Sequence, residues 1–176
     1  MFTRTIPDYL SGYPASLVEQ VHLLIGQGQF GDLLRRKYPG MHSVRTDKAL
    51  YDYVQELKGE YLRNAPQPDK VAFDSKLHVI HQALGTHTRI SRVQGAKLKS
   101  KHEIRIASVF KTLPSEFLRM IVVHEVAHLK VREHDKDFYQ LCRYMEPDYH
   151  QLEFDLRACL LCLDTTEKHI WPAGCR

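Results

Sequence analysis

The stretch Ile121-Val-Val-His-Glu-Val-Ala-His-Leu-Lys130 sets a His-Glu-x-x-His pattern inside an apolar run. On a helix turning by roughly 100° per residue, His124 and His128 lie one turn apart on one face, so both imidazoles reach a single ion. Glu125 stands beside them, placed to take a proton from water that the ion has made acidic. The pattern predicts a metal-dependent hydrolase, with zinc as the metal. Its flanks agree with a helix. Pro114 and Ser115 offer start chemistry, with Ser115 as the expected N-cap, and Leu118, Ile121, Val122, Glu125 and Leu129 recur at three- and four-residue steps, giving the helix one core side.

A zinc site of this kind takes three protein ligands and keeps a fourth position open. His134 follows His128 by six residues, the spacing of the metzincin signature. That signature has glycine where this chain has Val131, and a β-branched residue is a poor occupant of positive φ. The helix must nevertheless end before His134, because continuing it would carry His134 about 240° round from His128. Asp135 can cap a new helix bearing Phe138, Tyr139, Leu141, Cys142 and Met145, which puts His134 in a turn between two helices. Glu153 is the rival third ligand, giving the His, His, Glu set of the thermolysin type.

Working outward, Asn64-Ala-Pro-Gln-Pro-Asp69 divides the chain into an N-terminal helical segment, residues 1–64, and a catalytic unit, residues 65–176, the two forming one globular body. The first part predicts helices over Ala15–Gly26, around Leu33 and Leu34, and over Asp47–Leu62 with Thr46 as cap. The second predicts strands over Lys70–Phe73, Leu77–His81, His87–Val93 and Glu103–Ser108, then the motif helix and two more. The expected class is α+β, a small antiparallel or mixed sheet with the motif helix packed on it. The strand just before that helix is a candidate edge for an extended peptide to join.

The 176 residues are 43% hydrophobic, enough for a full core. No apolar run approaches a bilayer span and no leader pattern opens the chain, so a cytoplasmic protein with no membrane partner is expected. A net charge of +4 permits an anionic ligand without announcing nucleic acid. Arg89, Arg92, Lys97, Lys99, Lys101 and Arg105 form a basic stretch that would suit a triphosphate or a nucleic-acid backbone if it faced the metal, and would be a solvated edge otherwise. Asp52, Glu56 and Glu60 read as the solvated face of the third helix, although a helical pyrophosphatase would use just such carboxylates. Cys159-Leu-Leu-Cys162 lies in an apolar periodic segment and reads as core, not as a zinc ribbon.

Beyond the motif, Arg89-Ile-Ser-Arg-Val-Gln-Gly95, Glu103-Ile-Arg-Ile-Ala107, Met120 to Lys130, His134 and Phe138 resemble the YgjP-like bacterial proteins. The likeness extends to Asp47-Lys-Ala-Leu-Tyr51, Leu62-Arg-Asn-Ala-Pro66 and Tyr149-His-Gln-Leu-Glu-Phe-Asp155, covering most of the chain. This resemblance implies a zincin-like α+β unit with His124, His128 and His134 on one metal ion and Glu125 as base. It implies peptidase activity, and it also admits pyrophosphatase activity on nucleoside triphosphates, UTP in particular.

The leading expectation is a zinc metallopeptidase holding one Zn²⁺ per chain, although three imidazoles also bind other first-row divalent metals. The substrate is a peptide or a nucleotide. Arg89, Arg92 and Arg105 are candidate phosphate partners, and Tyr139, Tyr144, Tyr149 and His150 are candidate donors to a reacting oxyanion. The alternatives are a metal-dependent UTP pyrophosphohydrolase and a non-catalytic metal-holding or nucleic-acid binding module.

Overall fold

The computed structural model describes residues 6–77, 85–94 and 97–172, with the side chains of residues 85–94 and 97–100 outside the description. Three helices open the chain: α1 (Ala15–Gly26), α2 (Phe30–Lys37) and α3 (Asp47–Tyr61). Gly28, at φ 69°, ends α1, and the amides of Gly28 and Gln29 return to the carbonyls of Ile25 and Leu24. This is a Schellman closure, which needs a left-handed residue at that step. Thr46 caps α3 by accepting from the Ala49 amide at 3.1 Å, as its sequence predicts.

The strands are β1 (Lys70–Asp74), β2 (Gly85–Gln94) and β3 (Lys97–Ala107), in the order β1-β3-β2. β1 runs parallel to β3 and β2 antiparallel to it, a mixed sheet. The strand that leads towards the motif helix is therefore the middle of the sheet. The expectation of an edge there is corrected: both its hydrogen-bonding sides are taken. The strand expected over Leu77–His81 does not include Leu77, and residues 78–81 lie outside the described residues.

A short 3₁₀ turn (Ser108–Thr112) leads to α4 (Ser115–Ala127), which carries the motif, followed by α5 (Lys136–Met145) and α6 (Tyr149–Thr166). Pro114, not Ser115, holds the cap position of α4. The Ser115 amide donates to the Gly40 carbonyl at 3.1 Å and its hydroxyl to Glu116, so strand-like pairing of Met41 with Pro114 fixes the entry instead. α4 is also buried on more than the single side expected from its period. It packs against β2, β3, α3, α5 and α6, and Phe117, Leu118, Met120, Ile121, Val122, Val123 and Val126 are all buried. A helix apolar over most of its surface belongs in the middle of a protein.

The α3–β1 connection packs closely. Gln67 donates to Tyr51 and Gln55, and the Phe73 amide donates to Asp47. Asp52 pairs with Lys48, and Asp52, Glu56 and Glu60 are exposed, as a solvated face requires. Cys142, Cys159 and Cys162 are free, buried core residues, while Cys175 lies outside the described residues. Among the described residues no helix is long and apolar enough to cross a membrane.

Candidate metal centre

α4 stops at Ala127 with His128 in its cap position, still in right-handed helical geometry, which preserves the one-turn spacing to His124. The chain then tightens. The amides of Leu129 and Lys130 bond back three residues, to Val126 and Ala127, and Val131 also returns to Ala127. These short-range bonds turn the backbone, and Glu167 is the one non-glycine residue at positive φ among the described residues. Val131 thus replaces the expected glycine without the strain that a left-handed valine would carry. Asp135 caps α5, accepting from the Phe138 amide at 2.9 Å, and so fixes His134 one residue upstream of the cap.

The result brings the three histidines together. The Nε2 atoms of His128 and His134 are 2.9 Å apart and those of His134 and His124 3.1 Å apart. Ligands placed tetrahedrally at zinc–nitrogen distances sit about 3.3 Å apart, so these atoms converge on a point that one ion fits. The other ring nitrogens of His124 and His128 are tied behind them. His128 Nδ1 lies 3.0 Å from the Val131 carbonyl and must donate to it, which leaves Nε2 as a lone pair. His124 Nδ1 lies 2.7 Å from the Tyr149 hydroxyl. Phe138 supports all three rings, with centroids 4.5 to 4.9 Å away. Burial, then the charges of His128, His134 and Arg157, hold His124 down at about 3, and burial lowers His128. Both are neutral near pH 7, the form that binds metal.

Glu125 is 1% exposed, and its Oε2 has no hydrogen-bond partner. Burial raises its carboxyl to about 8. An unsatisfied buried oxygen of this kind costs about 1–3 kcal/mol, the sort of expense that persists at functional sites. Converging neutral imidazoles with an orphaned carboxylate on the same helix fit a bound divalent metal.

A cavity of about 300 Å³ opens beside the histidines, walled by His124, His134, Tyr139, Tyr149, Glu153 and Arg157. Glu153 does not join the histidine cluster. It holds Arg157 at 3.1 Å instead. Tyr149 is fully buried behind His124, and Tyr139 reaches the cavity wall. His150 is exposed and lies tilted against Tyr139, outside the wall, and Tyr144 packs edge-on to Tyr61. Arg105 is taken up by Asp74 on the neighbouring strand β1 and by Glu103 on its own strand, and does not line the cavity. The side chains of Arg89 and Arg92 lie outside the described residues. Arg157 was missed from the sequence, although Tyr149, Glu153 and Arg157 recur every four residues along one stripe of α6.

Residues 51–158 match the YgjP-like, metallopeptidase domain family. The chain belongs to the YgjP-like family and is a metal-dependent hydrolase. It is 57% identical over 162 residues to a protein of Escherichia coli (strain K12) named UTP pyrophosphatase, covering 92% of this chain and 97% of that protein. No solved structure matches it.

Proposed function

We propose that this protein hydrolyses nucleoside triphosphates, UTP foremost, to the monophosphate and pyrophosphate, with one zinc ion held by His124, His128 and His134. The observation that carries the reading is the polar cavity beside the three converging Nε2 atoms, with a guanidinium on its wall. The name and 57% identity of the E. coli relative support the substrate. This replaces a peptide as first choice. The central position of β3 removes the strand edge expected just before the motif helix.

Zinc bound there would neutralise phosphate charge and lower the pKa of water. Glu125, next to His124 on the motif helix, takes the proton of the attacking water. The water oxygen bonds to the α-phosphorus as the bridging bond to the β-phosphate breaks, and pyrophosphate leaves with the electron pair. Tyr149 keeps the His124 ring oriented while charge develops, and Phe138 holds all three rings in place.

Peptide-bond hydrolysis is the second reading. It keeps one observation: β2 pairs on one side only among the described residues and packs against α4, so an extended chain could join it there. The test incubates zinc-loaded protein with UTP and, separately, with unfolded polypeptide. Stoichiometric UMP and pyrophosphate, abolished by Glu125→Gln with metal content unchanged, is the expected result, the loss being about 10²–10⁴-fold. Cleavage of polypeptide with UTP intact would replace this reading by the second.

A further inference from the structure

We infer that Arg157, aligned by Glu153, is the residue that grips the departing pyrophosphate portion of the substrate. The inference rests on the pyrophosphohydrolase reading and adds to it the anion-binding arm that the histidines lack. A triphosphate brings about four negative charges at neutral pH, more than one divalent ion offsets, so a second cation is needed at the site. Among the described residues Arg157 is the one cationic side chain on the cavity wall. Two other arginines whose side chains are described, on α4 and on the sheet, are held by other partners. Arg119 is held by Glu146 and the Met145 carbonyl, and Arg105 by Asp74 and Glu103.

The pairing of Arg157 leaves it able to act. Its Nε and Nη2 both approach one oxygen of Glu153, at 3.3 and 3.1 Å, and Nη1 bonds no protein group among the described residues. A guanidinium has five donors in a rigid plane, so one edge can stay on Glu153 while the other meets phosphate oxygens. The pair is also mostly sheltered, its side chains 23% and 18% exposed, where a charge-assisted contact is screened less than in open water. Glu153 carries a negative charge on the same wall, but Arg157 offsets it at contact distance, and what Glu153 contributes is alignment.

Position along α6 selects the phosphate. Tyr149, bonded to His124, marks the metal end, and Arg157 lies eight residues further on, about 12 Å of helix rise away. The side chain folds back one turn to pair with Glu153, so its guanidinium stands on the cavity wall between its own turn and the histidines, where the phosphates next to the reacting one would lie. Those phosphates gain charge as the bridging bond breaks. A guanidinium there stabilises the departing group most when the bond is most nearly broken.

The test measures binding without turnover. Zinc-loaded wild type, Arg157→Ala and Arg157→Lys are titrated calorimetrically with α,β-methylene UTP, which cannot be cleaved at that bond, and with UMP, which lacks the far phosphates. Elemental analysis and thermal melting accompany each variant. Arg157→Ala is expected to weaken the analogue roughly tenfold or more while UMP affinity stays within about twofold, and Arg157→Lys to fall between. Equal analogue affinity in wild type and both variants, or equal loss for the analogue and UMP, overturns the assignment. Should Arg157→Ala not fold, the lysine variant alone decides, since wild-type affinity there removes any need for the guanidinium. Wild type that neither binds the analogue nor hydrolyses UTP overturns the pyrophosphohydrolase reading itself, a result distinct from failure of Arg157 alone.

Discussion

The Tyr149 hydroxyl lies 2.7 Å from His124 Nδ1, and the two rings are nearly parallel, 18° apart. A buried partner of this kind sets ring orientation, and losing one commonly reduces metal affinity by about 10–100-fold. Tyr149→Phe keeps the ring and its packing but removes the bond. Zinc affinity measured by competition with a chromogenic chelator is expected to drop within that range while the folded signal is unchanged; undiminished affinity would mean that the hydroxyl plays no part in ligation. The choice of third ligand belongs to the same scale. His134→Ala should lose most metal binding, and Glu153→Ala should retain it, because Glu153 faces Arg157 and not the histidine cluster. Elemental analysis after dialysis separates the two. Metal lost from Glu153→Ala and kept by His134→Ala would reverse the ligand set.

Elements place these side chains, and their legibility in the sequence followed the kind of force involved. Thr46 and Asp135 could be read as caps because capping is local chemistry, settled by a side-chain oxygen and an amide three residues on. Strand order could not be read. The parallel pairing of β1 with β3 joins residues more than thirty positions apart, and no local pattern distinguishes it from a hairpin. The turn before His134 could be placed from the sequence but not its means: Val131 stands where a known signature has glycine, and backbone bonds from Leu129 and Lys130 turn this chain without one. Arg157 escaped notice because cavity walls are assembled from several elements at once. The cap that positions His134 gives a test at this scale. Asp135→Ala frees the Phe138 amide and should cost about 1 kcal/mol of stability in urea denaturation. It should also weaken metal binding, since His134 precedes the cap directly. A variant that loses stability with metal affinity intact would detach His134 from the start of α5.

At the scale of the whole molecule, α6 joins the cavity to the N-terminal helices. One stretch carries Tyr149, Glu153 and Arg157, while Asp155 accepts from Tyr38, Lys37 and Gln151. Burial and the Asp155 hydrogen bond push the Tyr38 hydroxyl well above its ordinary pKa, so this contact keeps its proton at any working pH. The three histidines, by contrast, come from α4 and from the turn before α5, and they converge only when both elements are docked. An ion that binds the folded arrangement and not the unfolded chain therefore stabilises the entire fold through mass action, by about 2.7 kcal/mol when free metal is a hundredfold above its dissociation constant. For a chain of this size that corresponds to a melting temperature shift of roughly 5–10 °C. Removal of metal with a chelator should lower the melting temperature by that amount, re-addition of zinc should restore it, and His134→Ala should show little response to either. A wild-type protein that carries metal by elemental analysis yet melts at the same temperature with and without chelator would show that the ion is not held by the docked histidines, and the site would have to be sought elsewhere.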